Sequence, residues 1–152
     1  MNGNPASIAA QRPHRYTLRV YYEDTDAGGI VYHATYLRFA ERARTEALRD
    51  LGIAHATLVE RYNLMFVVRR IKVDYLRPAR VDESLVVLTE PLVVGAASVT
   101  LRQTVIGADD TLGPRAVLEV GLASVRLNDQ RPGRLPAPWR ETLRAMLAGG
   151  DG

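Results

Sequence analysis

Residues 36–52 read YLRFAERARTEALRDLG, and their periodicity decides the fold. Tyr36, Phe39, Ala40, Ala43, Ala47, Leu48 and Leu51 recur at three- and four-residue spacing, which lays them along one side of a helix. Arg38, Glu41, Arg42, Thr45, Arg49 and Asp50 fall largely on the other side. The segment makes about five turns, and Gly52 suits the left-handed position that closes a helix. One helix with a wide apolar stripe needs a surface to cover it, and the rest of the chain offers strands.

Upstream, Tyr16, Leu18, Val20 and Tyr22 alternate with Arg15, Thr17, Arg19, Tyr21 and Glu23, the period of two expected of a strand with one buried face. Residues 24–29 are dense in Asp and Gly and predict a turn. Downstream, strands are expected over 66–76, 85–94, 97–106 and 115–127. Ile71, Val73 and Tyr75 alternate with Arg70, Lys72 and Asp74, and Val99, Leu101 and Val105 with Ser98, Thr100, Arg102 and Thr104. Gly95 and the 107–113 stretch punctuate the last three strands, so antiparallel neighbours joined by short connections are the simplest topology. Residues 131–138 read as a Pro-rich linker, from which Pro138 opens a short helix carrying Trp139, Leu143, Met146 and Leu147. The expected division is a loose arm over 1–14, one domain over 15–127, and a linker, helix and frayed tail over 128–152. The class is α+β, an antiparallel sheet with one principal helix. Two open sheet edges and an incompletely covered face predict a homo-oligomer in which sheets or helices meet across a two-fold axis.

The 152 residues amount to one domain with room for a real core. The absence of Cys removes disulfides, thiolate nucleophiles and cysteine-ligated metals. No signal-peptide pattern and no apolar run of membrane-spanning length occurs, so a cytoplasmic, soluble chain is expected. The net charge of +3 resides in the tails, because residues 16–127 hold fourteen basic and fourteen acidic side chains. A nucleic-acid footprint over the whole domain is therefore not expected.

Chemistry concentrates in YYEDTDAGGIVYHATY, residues 21–36. Carboxylates, two glycines and His33 gather where a strand hands over to a helix, and the first N–H groups of a helix lack intrahelical partners. Tyr22, Asp24 and Asp26 share strand parity if the chain stays extended, which would set Tyr22 on the apolar face and aim Asp26 at the interior end of the helix. A carboxylate there can deprotonate water or attack an acyl carbon itself. Gly28 and Gly29 would let a ligand carbonyl approach backbone N–H groups. His14, His33 and His55 lack metal-ligand spacing, and no nucleophile elbow, P-loop or dinucleotide fingerprint is present, so neither metal nor cofactor is expected.

The stretch YYEDTDAGGIVYHATYLRFAERARTEALRDLG, residues 21–52, resembles the YbgC-like, Tol-Pal-associated acyl-CoA thioesterases of the 4-hydroxybenzoyl-CoA thioesterase branch of the hotdog superfamily. The shared core is D-x-D-A-x-G-x-V-Y-H-x-x-Y followed by ERARTE, and the resemblance runs over roughly residues 15–127. It implies a hotdog fold, an antiparallel sheet wrapped around one long central helix, paired into a homodimer or homotetramer with the acyl-CoA site at a subunit interface. It also implies Asp26 as the catalytic carboxylate, His33 at the oxyanion-binding helix start, and Tyr22 as a positioning residue.

The expected reaction is hydrolysis of an acyl-CoA to an acid and free CoA, with Asp26 as general base or as nucleophile. The only basic cluster of the neutral body, Arg69, Arg70, Lys72, Arg77 and Arg80 against Asp74, is the candidate contact for CoA phosphates or an acidic acyl carrier protein. Two rivals differ in chemistry. Hotdog hydratases or dehydratases of enoyl-thioesters place four residues between Asp and His, whereas six separate Asp26 from His33; a non-catalytic acyl-CoA or carrier-protein binding module would keep the fold without turnover.

Overall fold

The computed structural model describes residues 13–109 and 111–148. The periodic segment forms α1, Thr35–Asp50, and buries Tyr36, Phe39, Ala40, Ala43, Arg44 and Ala47. Three of these are Ala, so sheet side chains approach the helix axis closely along that stripe. Leu51 caps the helix and Gly52 follows at φ +80°, a conformation that an L side chain rarely adopts.

Five strands surround it: β1 His14–Arg19, β2 Leu64–Tyr75, β3 Ser84–Val94, β4 Ser98–Gly107 and β5 Pro114–Arg126. They form one antiparallel sheet in the order β1-β3-β4-β5-β2. The hairpins β3–β4 and β4–β5 follow the expected short connections. β2 joins at the far side, paired with β5, so β1 and β2 are the two edges. Alternate residues of the central strands, among them Leu85, Val87, Val105, Leu118 and Val120, are fully inaccessible beneath α1.

A polar network lies inside this apolar layer. Gln103 on β4 is completely buried; its amide nitrogen donates to Ala40 O at 2.8 Å and to Thr89 Oγ1 at 3.0 Å, and its Oε1 accepts from Arg44 Nη1 at 3.0 Å. Burial depresses the Arg44 pKa, and neighbouring Glu41 opposes that shift. Gln103→Leu leaves a buried guanidinium and a hydroxyl without their partner, and is expected to lower stability by about 2 kcal/mol. Urea unfolding checks this, and an unchanged midpoint would assign the network no stabilising role.

Three features depart from expectation. A second helix, α2 His55–Tyr62, fills what read as a connection; Ala54 supplies no side-chain cap and only Leu58 is buried, so its signal is weak. The C-terminal helix expected from Pro138 forms α3, Ala137–Ala148, and packs on the 15–127 body: Trp139, Leu143 and Met146 enter the main core, and the Trp139 ring lies 6.5 Å from that of Phe66. At the other end His14 already pairs with Thr89 and its Nε2 meets Asp50 Oδ2 at 2.8 Å, while most of the expected arm, residues 1–12, and the GGDG end lie outside the described residues. No helix among the described residues is long and apolar enough to cross a membrane.

Candidate active site

β1 stops at Arg19, and the chain then folds back on itself. Asp24 Oδ2 accepts the Tyr21 N–H at 2.8 Å, and residues Tyr22–Asp24 make a single 3-10 turn. The extended parity expected for Tyr22, Asp24 and Asp26 is therefore broken. Tyr22 is 85% exposed and lies outside the cavity, a correction to its expected place on the apolar face. Asp turn chemistry, capturing a backbone donor three residues back, overrides the strand pattern.

The next five residues close a tight hairpin. Asp26 N–H donates to Ile30 O at 2.9 Å, Asp26 O accepts from Gly29 N–H at 3.0 Å, and Asp26 Oδ1 accepts from Gly28 N–H at 2.8 Å. Gly29 sits at φ +81°, where glycine is needed. Both glycine amides are thus taken by Asp26 and not aimed at a ligand, contrary to the role expected of Gly28 and Gly29. Their work is to fix the carboxylate by one oxygen while Oδ2 has no hydrogen-bond donor among the described residues.

The hairpin is tied to the segment between β2 and β3. Ile30 bridges to Arg80, and Val31 N–H donates to Ala79 O at 2.8 Å. Between the two segments opens a cavity of about 450 Å³. Asp26, His33, Tyr36, Tyr75 and Arg77 give it polar groups, and Ile30, Val31, Leu76 and Pro78 give it apolar walls. Asp26 and His33 thus line one cavity.

The basic run is divided. Arg77 faces this cavity, Arg69 and Arg70 line a separate concavity with Ser98, Thr100 and Gly121, and Lys72 lies opposite Glu119 of β5. No group of His, Asp and Glu among the described residues is placed to hold a metal.

The helix entrance is held from two sides. Tyr32 O accepts the Thr35 N–H at 2.8 Å, and His33 O accepts the Tyr75 hydroxyl at 2.7 Å. In a trans peptide unit the N–H points opposite to its carbonyl. Pinning Tyr32 O orients the His33 N–H, and pinning His33 O orients the Ala34 N–H. No backbone carbonyl among the described residues accepts from either amide. Tyr75 also stacks edge-on, with its ring 6.3 Å from His33 and 5.6 Å from Tyr36. Desolvation raises the Tyr36 pKa, offset in part by a backbone hydrogen bond from Ala79, so the phenol stays neutral.

Strand parity alone put Tyr75 on the inner face beside Ile71 and Val73, but nothing local paired it with a residue far earlier in the chain. Tyr75→Phe removes one hydroxyl and keeps the ring. It is expected to reduce kcat by about tenfold with KM within roughly twofold, because only the donor alignment is loosened. Steady-state kinetics check this, and an unchanged kcat would remove Tyr75 from the site.

Comparison with known proteins agrees with this architecture. A family model described as the thioesterase superfamily matches residues 28–114. The acyl-CoA thioester hydrolase YbgC of Escherichia coli O157:H7 is 43% identical over 122 residues, covering 80% of this chain and 89% of that protein. The acyl-CoA thioesterase YbgC of Haemophilus influenzae is 51% identical over 88 residues, 58% of this chain and 65% of that protein. Among solved structures, a probable thioesterase from Bartonella henselae superposes with a TM-score of 0.74 at 34% identity, covering 81% of this chain and 98% of that one. The turn-to-helix segment, the sheet around one long helix and these matches give one answer: the chain belongs to the thioesterase superfamily, as a YbgC-like member with the hotdog fold.

Proposed function

We propose that this protein hydrolyses acyl-CoA thioesters through Asp26 and the amides of the helix entrance. The observation that carries the reading is one cavity lined both by Asp26, whose Oδ2 has no donor among the described residues, and by His33, whose main-chain N–H has no backbone acceptor among them. Asp26 Oδ2 takes the proton of an attacking water, or attacks the acyl carbon to give an anhydride that water then cleaves. The thioester oxygen gathers negative charge as the carbon becomes tetrahedral, and the His33 and Ala34 N–H groups at the positive end of α1 offset it. The C–S bond breaks, CoA leaves as thiolate and is protonated, and the acid departs.

The working form in this reading is a cytoplasmic homo-oligomer. Tyr21, Tyr22, Tyr32 and Leu37 are large, exposed and confined to the turn and the first turn of α1, the kind of apolar patch that a second copy covers. Acyl carrier protein is the alternative bearer of the thioester, with Arg77 as the cation at the cavity mouth.

The test is thiol release from a panel of short, long and aromatic acyl-CoAs, followed with a thiol-reactive dye. A Cys-free protein gives no background. Turnover of at least one thioester is expected; inactivity toward the whole panel and toward acyl carrier protein substrates would sink the proposal.

A further inference from the structure

We infer that Arg69 and Arg70, with Ser98, Thr100 and Gly121, form a phosphate-binding subsite for the nucleotide end of a coenzyme A thioester. The inference rests on the thioesterase reading above. Consecutive residues of a regular strand point to opposite faces. Here the pairing of β2 with β5 slips between Val68 and Arg70, which leaves Arg69 as the extra residue of a bulge. Val68 lines a small cavity with Arg44 and Leu48 of α1, whereas Arg69 and Arg70 both line a concavity of about 400 Å³ elsewhere on the sheet. The bulge thus sets two guanidinium groups side by side, where alternation would have parted them.

Among the described residues neither Arg69 nor Arg70 has a carboxylate within ion-pair distance, although Arg102 meets Glu90 at 3.5 Å and Lys72 lies opposite Glu119. Two adjacent cations repel each other unless an anion joins them. The floor of the concavity is Gly121, directly opposite Arg70. A Cβ built there meets only Arg70 O at 3.7 Å and Arg70 Cβ at 3.8 Å, ordinary contacts, and Gly121 is not among the residues at positive φ. Local geometry does not require a glycine at this place, and its missing side chain keeps the concavity open. Ser98 and Thr100 add hydroxyl donors on the β4 side.

Two planar forks beside hydroxyl groups suit a phosphate monoester or a pyrophosphate, each able to accept paired charge-assisted hydrogen bonds. Arg70 and Tyr75, which lines the Asp26 cavity, stand roughly 17 Å apart along β2 and on opposite faces of it; because β2 is an edge strand, an arm can round that edge from one concavity to the other, and the long arginine side chains shorten the span. The phosphopantetheine arm, about thirteen bonds from sulfur to phosphorus, extends roughly 15 Å at ordinary chain dimensions.

The experiment compares one acyl group carried on CoA, on dephospho-CoA and on pantetheine, with wild type, the Arg69→Gln/Arg70→Gln double variant and Gly121→Val. For the double variant, kcat/KM toward acyl-CoA is expected to fall about tenfold or more through KM, as loss of charge-assisted hydrogen bonds predicts. Toward acyl-pantetheine it should fall less than about twofold, so the wild-type preference for the phosphorylated carrier collapses. Gly121→Val, which fills the floor and keeps both guanidinium groups, should show the same selective loss. An equal loss on all three carriers, or no loss on any, overturns the subsite and leaves the thioesterase reading intact. Should wild type hydrolyse none of the three, the thioesterase reading fails, and calorimetric titration with CoA decides the subsite by itself. Binding by wild type that the double variant loses upholds it, and absent or equal binding overturns it.

Discussion

Asp26→Asn is expected to reduce thioester turnover by roughly 10²- to 10⁴-fold with little change in KM, the loss that follows removal of a general base. The substitution is a narrow one. Asn keeps a carbonyl oxygen where Asp26 Oδ1 accepts the Gly28 N–H, so the Asp26–Ile30 hairpin and its bridge to Arg80 should survive. What it removes is the charge on Oδ2, the oxygen with no donor among the described residues. A general base and a nucleophile both need that charge, so the rate loss is common to them. Single-turnover hydrolysis in heavy-oxygen water, followed by mass analysis of the peptide containing Asp26, separates the two. Label enters the enzyme only if an anhydride forms and is cleaved at the enzyme's carbonyl. If the Asn variant keeps more than about a tenth of wild-type turnover with an unchanged thermal midpoint, Asp26 is not the reacting carboxylate.

The second large effect is on stability. Glu83→Gln should lower stability by about 3 kcal/mol and the thermal midpoint by about 6–10 °C in a domain of this size. Arg115 is nearly inaccessible; its Nη1 meets Glu83 Oε2 at 2.5 Å and donates to Pro78 O at 3.3 Å, while its Nε has no partner among the described residues. Gln preserves shape and an acceptor but leaves a buried guanidinium without a counter-charge. The backbone raises the stakes. Arg115 O accepts the N–H groups of Leu76 and Arg77 at 2.8 and 3.1 Å, and Glu83 O accepts from Val20 N–H at 2.8 Å. The pair therefore fastens both ends of the cavity wall, and KM should rise with the loss of stability. Replacing both partners, Glu83→Leu with Arg115→Met, should recover more than half of the lost stability, since an apolar pair has no desolvation penalty to offset. A midpoint within 2 °C of wild type for Glu83→Gln would mean that water already screens this pair.

Much of this was legible because it is periodic. The stripe from Tyr36 to Leu51 and the alternation in β2 and β4 each repeat over many residues, so local pattern and tertiary packing ask for the same thing. The shared placement of Asp26 and His33 on one cavity was legible because the two are near neighbours in sequence, on one short segment before α1. Failures came where a single polar contact or a distant partner decides. The Asp24 carboxylate turns Tyr22 outward, and no alternation rule contains that hydrogen bond. Tyr75 acquires its role only when β2 is laid beside the start of α1. Arg69, Arg70, Lys72 and Arg77 look like one cluster in sequence, but strand alternation and one bulge send them to three surroundings. In α2 a lone buried Leu58 and an uncapped start left too little pattern to read.

The cavity has two walls of separate origin. The Asp26 carboxylate and the helix entrance come from residues 26–34, whereas Tyr75, Leu76, Arg77 and Pro78 come from the end of β2 and the loop after it, some forty positions later. Main-chain links join these segments at Ile30–Arg80 and Val31–Ala79 and tolerate changes of side chain, while the Tyr75 hydroxyl adds one side-chain link to His33 O. Under the proposed function, substrate range and chemical competence can consequently diverge as independent traits: substitutions at Leu76 or Pro78 can retune which acyl groups are admitted while the Asp26–Ile30 turn stays untouched, an arrangement suited to rapid diversification and to library design.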